Sequence, residues 1–153
     1  MYSMVLKSKQ QGVTLMELMI ALAIIAIIAS VAIPNYQGNA SKARRSDAQT
    51  ALLGLASAME RYYTANNTYL GAAQAGDTGA PDIYPDEAPI DGDTKYYDLQ
   101  IFAAAANTYE LRAVPKGDQA GDGFLSLNSV GVRGWDMNNN GSSADAGENA
   151  WHY

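Results

Sequence analysis

The apolar positions of this chain fall into three successive patterns. From Val13 to Ile33 they run almost unbroken, with only Thr14, Glu17 and Ser30 polar among 21 residues. As one helix that run is about 31 Å long, close to the roughly 30 Å hydrocarbon core of a bilayer. Beyond it Ala48, Leu52, Leu55, Met59 and Tyr62/Tyr63 recur at steps of three and four, which predicts an amphipathic continuation suited to lie on a sheet. Pro34 removes a helical hydrogen bond and crowds the preceding turn, so a kink or local opening is expected there. Asn66-Asn67 ends the helical pattern, and Gly71–Thr94, rich in Gly, Pro and Asp, reads as a long irregular connection, functional or held by its own packing.

The third pattern is alternation. In Tyr96–Ala103, Tyr97, Leu99 and Ile101 share one face, and in Thr108–Val114, Tyr109, Leu111 and Ala113 do the same, with Ala104–Asn107 as the hairpin connection. Phe124–Asn128 and Val130–Trp135 predict two further short strands about a turn at Ser129–Gly131. A sheet with one apolar face needs a cover, so the expected fold class is α+β. The second half of a long amino-terminal α-helix packs on a roughly four-stranded antiparallel β-sheet, and 153 residues suffice for one such head.

Charge sharpens this division. Residues 1–61 hold six bases against three acids, whereas residues 62–153 hold four bases against thirteen acids, a net of −9. Nonspecific affinity for a phosphate backbone comes mainly from cationic contacts, so there is no strong case for nucleic acid as a partner unless a local spot such as Arg44-Arg45 is used. Lys7 and Lys9 precede the apolar run and by the positive-inside rule send the head outward. A plain signal anchor fits, as does a removable signal with Ser30-Val31-Ala32 as its cleavage site, although the run exceeds the usual signal length. A third reading makes use of Glu17, because a carboxylate inside hydrocarbon costs on the order of a few kcal/mol unless it finds a partner or an interface. Cysteine is absent, which excludes disulfides and thiolate metal sites.

The leader ending in Gly12, followed by Val-Thr-Leu-Met-Glu-Leu-Met, resembles the prepilin processing site of the type IV pilin superfamily. Gly12, Glu17 and Pro34 match that family at fixed spacing. The stretches "RRSDAQTALLGLASAMERYYTANNTY", "PIDGDTKYYDLQI" and "TYELRAVPKGDQAGDGFLSLNSVGVRGW" resemble PilE-type minor pilins of type IVa systems. The resemblance implies a leader peptide over 1–12, a transmembrane and filament-core half-helix over 13–34, and a globular head over 35–153. It implies cleavage between Gly12 and Val13, N-methylation of Val13, and an assembly role for Glu17 and Pro34. The implied partners are other pilin subunits, the prepilin peptidase/methyltransferase and the pilus assembly machinery of the inner membrane. The implied location is that membrane with the head periplasmic, then an extracellular filament serving motility, adhesion or DNA uptake. Val13 stands where the family usually has phenylalanine, Ala26 replaces a common mid-helix glycine, and Ala150 stands where a loop-closing cysteine would fall. A pseudopilin of a type II secretion system shares the same amino-terminal code. A DNA- or ligand-binding pilin would also fit, as would a membrane-anchored protein that never assembles.

Two clusters remain. Asp136-Met137-Asn138-Asn139-Asn140-Gly141 has the D-x-N-x-N-G pattern that opens a calcium loop, with Asp145 and Glu148 as further oxygen ligands, and it equally suits an Asn/Gly-rich turn. Structural calcium is the one cofactor the sequence suggests. Arg44 and Arg45 read as a solvated helix face, which the resemblance sets near the membrane surface or a neighbouring subunit. No enzyme constellation emerges, since the one histidine, His152, is next to the last residue and nothing holds it for catalysis.

Overall fold

A computed structural model describes residues 12–151. Lys7, Lys9, most of the leader and His152 lie outside the described residues. The chain divides into two compact units between Gly38 and Asn39. Helix α1 runs from Leu15 to Asn66, 52 residues with Pro34 inside it. The opening expected at Pro34 is therefore not an interruption of the helix, because one missing N–H leaves the bonds of the flanking turns in place. The helix stops as expected: Asn67 turns left-handed at φ 56° and its N–H closes the last turn on the Tyr63 carbonyl at 2.7 Å.

In the second unit five antiparallel strands form a meander in sequence order. They are β1 (Glu87–Ala88), β2 (Tyr97–Ala104), β3 (Tyr109–Pro115), β4 (Leu125–Asn128) and β5 (Arg133–Trp135). The alternation falls as expected, with Tyr97, Leu99, Ile101, Tyr109, Leu111, Ala113, Leu125 and Leu127 all buried. They meet Ala48, Leu52, Leu55 and Met59 of α1 in one core. Burying each of the larger side chains contributes roughly 1.5–3 kcal/mol. A bulge between Ile101 and Ala103 breaks the alternation, so that Ala103 is exposed along with Phe102.

The sheet differs from the expected four strands in two places. Two-residue β1 pairs with β2 from within the stretch read as irregular, and two residues are too few to display a period. The run Val130–Trp135 is strand only from Arg133, because Gly131 at φ 83° turns back to the Asn128 carbonyl. The connection after α1 is held by its own packing: Ala72, Ala73 and Ala88 enter the core, and Gly79 exchanges two backbone bonds with Ile101. Gly54 makes room for that connection, since a Cβ there would collide with the Tyr84 hydroxyl.

Two core tyrosines carry bonds that tie the layers together. Tyr109 Oη donates to Glu60 Oε1 at 3.0 Å and Tyr97 Oη donates to Asp122 Oδ2 at 2.9 Å. Burial, then the adjacent carboxylates, push both phenols well above the usual tyrosine range.

Candidate functional site

The described residues of the first unit form a helix whose large apolar side chains are exposed. Every large apolar side chain from Val13 to Ile33 is more than half exposed, Val13 at 76%. The helix is long and apolar enough to cross a membrane by length and composition. Its start is locally determined. Glu17 N–H donates to Thr14 Oγ1 at 3.2 Å, while Thr14 N–H donates back to Glu17 Oε2 at 3.2 Å. This reciprocal T-x-x-E arrangement is a capping box, and a carboxylate in the first turn also suits the positive end of the helix dipole. Gly12 and Val13 precede the first helical turn and are exposed, so the bond between them is accessible. Thr14 is a functional residue that the pilin resemblance does not single out, although the T-x-x-E spacing ahead of an apolar run is a local signal for its capping role.

In the second unit Arg45 is not on a solvated face. It is 8% exposed, and its guanidinium grips Asp122 through both carboxylate oxygens, Nε donating to Oδ2 at 2.8 Å and Nη2 to Oδ1. The same guanidinium lies 3.7 Å over the Trp135 ring, and Trp135 Nε1 donates to the Asp122 carbonyl at 2.6 Å. The expectation for Arg45 is thereby corrected, because an acid 77 residues away gives no local signal. Arg44 is half-buried, its guanidinium 4.0 Å over Tyr96.

The carboxy-terminal loop is fastened without any disulfide. Trp151 is buried and its Nε1 donates to the Ser126 and Gly134 carbonyls at 3.2 and 3.1 Å. Gly123, at φ 71°, lets the preceding turn approach so closely that a Cβ there would collide with the Asp136 carbonyl. Asp136, 1% exposed, accepts from Asn140 N–H and Gly141 N–H at 2.9 Å each. Glu148, 3% exposed, accepts Asn138 N–H at 2.9 Å. Asp145 accepts the Asn140 side-chain amide at 2.6 Å. The five oxygen-bearing residues named from the D-x-N-x-N-G pattern thus lie in one bonded loop.

Residues 34–124 match the family model described as "Type IV minor pilin ComP, DNA uptake sequence receptor", more than half of the chain. The chain belongs to this family of type IV minor pilins. Residues 7–33 of this pilin match the prokaryotic N-terminal methylation motif. It is 38% identical over 66 residues to type II secretion system core protein G of Pectobacterium carotovorum subsp. carotovorum, 43% of this chain and 42% of that protein. It is 42% identical over 74 residues to a fimbrial protein of Neisseria meningitidis, 44% of each chain. These matches span less than half the length of either relative. A crystal structure of the Neisseria meningitidis non-core minor pilin PilV is similar with a TM-score of 0.47 and 22% identity, covering 69% of this chain and 94% of that one. The pilin expected from Gly12, Glu17 and Pro34 is thus a member of the minor-pilin family, a family of structural subunits.

Proposed function

We propose that this chain is a filament subunit made as a membrane precursor. Residues 13–34 anchor it in the inner membrane with the head periplasmic, and a prepilin peptidase cuts between Gly12 and Val13 and methylates the new amine. The assembly machinery then moves it into a type IV pilus beside other pilin subunits. The observation carrying this reading is the uncovered apolar helix that begins immediately after an accessible Gly12–Val13 bond. A helix apolar all round is stable only in lipid or among other apolar helices, and a filament core supplies the second environment.

Glu17 has a second partner in this reading. In the precursor it caps its own helix; in the filament it pairs with the methylated amine of Val13 on an adjacent subunit. Burying both charges together offsets a penalty that each alone would leave standing, so the pair favours one register of neighbouring helices. Pro34 lacks the N–H that would hold its turn, and the helix can bend there as subunits pack. The matched head region favours a pilus over a type II secretion pseudopilus, because the family model that matches residues 34–124 is described as a type IV minor pilin. Recovery of the chain in filaments sheared from the cell surface tests the reading. Confinement to the membrane fraction in cells that make filaments contradicts it.

A second reading, DNA contact by the head, is favoured by the description of the matched family and by one local feature. Arg44 stacks on Tyr96 next to Lys95, a basic and aromatic spot on an otherwise acidic head. The net charge of −9 over residues 62–153 limits any such contact to a small number of phosphates. We expect weak, steeply salt-dependent retardation of duplex DNA that Arg44→Ala removes. Tight binding unaffected by that substitution would place DNA contact elsewhere.

A further inference from the structure

We infer that the carboxy-terminal loop is a divalent-cation site that takes calcium. Asp136 and Glu148 are both more than nine-tenths buried, and among the described residues neither has a cation within ion-pair distance. Asp136 is satisfied by two backbone donors, but only one oxygen of Glu148 is, by the Asn138 N–H. Glu148 Oε2 is buried with no hydrogen-bond partner. An ionised carboxylate is not left so without a counter-charge, and the loop that holds its other oxygen is the one that gathers Asp136, Asn138, Asn140 and Asp145.

The donor set selects the ion. Each of the side-chain oxygens Asp136 Oδ1, Asn138 Oδ1 and Asn140 Oδ1 accepts a single class of donor, a loop N–H, and keeps a second lone pair. All the ligands are hard oxygens, from both carboxylates and amides, which suits the six to eight contacts and loose geometry of calcium better than the strict octahedron of magnesium. No three carboxylates or imidazoles among the described residues cluster tightly enough to hold an ion alone, so the asparagine oxygens are required members of the site. The acid also falls one position beyond the twelfth residue that closes an EF-hand loop, so Glu148 reaches in from a different backbone turn, held by Trp135 N–H to its own carbonyl at 2.8 Å.

The test uses the full chain in detergent micelles, following head unfolding by tryptophan fluorescence with calcium, with magnesium and with a chelator. Calcium at about a hundredfold over its dissociation constant should raise the melting temperature by roughly 5–15 °C over the chelated protein, and magnesium by much less. Glu148→Gln should reverse the order of the metal-free proteins: it melts higher than the parent without calcium, because a buried charge is gone, and gains almost nothing from calcium. Should that variant fail to fold, Asp145→Asn at an exposed position, which keeps an oxygen to accept the Asn140 amide, should still fold and should weaken calcium binding by about tenfold. A parent melting temperature that is the same with calcium and with chelator overturns the site. An undiminished calcium response in Glu148→Gln overturns its assignment to this loop.

Discussion

Arg45→Ala should lower the melting temperature of the head by about as much as truncating a fully buried leucine of α1 such as Leu52 or Leu55. It removes a guanidinium that is simultaneously bonded to both oxygens of Asp122 and stacked on Trp135, and it leaves Asp122 behind with only the Tyr97 hydroxyl. Both side chains are largely withdrawn from solvent, 10% and 15% exposed, so screening does little to soften the loss. Breaking a buried pair from one side costs about 3–5 kcal/mol, which for a head of this size is on the order of 10–20 °C. Arg45→Lys should recover little, because an ammonium cannot reproduce the two-pronged bond or the planar stack. Pairing Arg45→Met with Asp122→Asn should recover much of the loss, since the uncompensated charge is removed along with its partner. Thermal unfolding of the full chain in micelles, read through Trp135 and Trp151, measures all three. A single-variant drop of only a degree or two would mean that the pair is solvent-screened.

Glu17 variants should separate capping from assembly. Glu17→Ala breaks the reciprocal bonds with Thr14 and removes the charge, whereas Glu17→Gln can keep the capping box and removes the charge alone. Both precursors should insert, because neither change reduces the apolar run. Both should be at least tenfold depleted from sheared filaments relative to the membrane pool, a ratio set by the lost pairing with the neighbouring amine. Normal incorporation of Glu17→Gln alongside failure of Glu17→Ala would assign Glu17 to holding the helix start and remove the register mechanism.

The parts of the fold that repeat locally are legible in the sequence. Leu52, Leu55 and Met59 announce their helical face, and Tyr97, Leu99 and Ile101 announce their strand, because burial of one side imposes a period on the chain. Strand β1 is not legible because two residues cannot show a period, and its partner in β2 defines it. The Arg45–Asp122–Trp135 cluster is hidden for a different reason: adjacent arginines on a helix look alike, and which of them faces inward is decided by an acid and a ring from distant turns. At the helix start, the spacing of Thr14 to Glu17 is a local signature of a cap, but within a long apolar run the same carboxylate reads first as a charge in need of a partner. In the carboxy-terminal loop the D-x-N-x-N-G pattern names Asp136, Asn138 and Asn140, but only the fold shows that Glu148 is buried with an unsatisfied oxygen against that loop.

The most direct measurement is the mass of the chain recovered from filaments. The expected species is a polypeptide that begins at Val13 and carries one methyl group on its amino terminus, heavier by one CH2 than the unmethylated sequence from Val13 onward. An intact, unmethylated chain in those filaments would contradict processing after Gly12, and an intact, unmethylated chain confined to the membrane would contradict the filament-subunit reading as well.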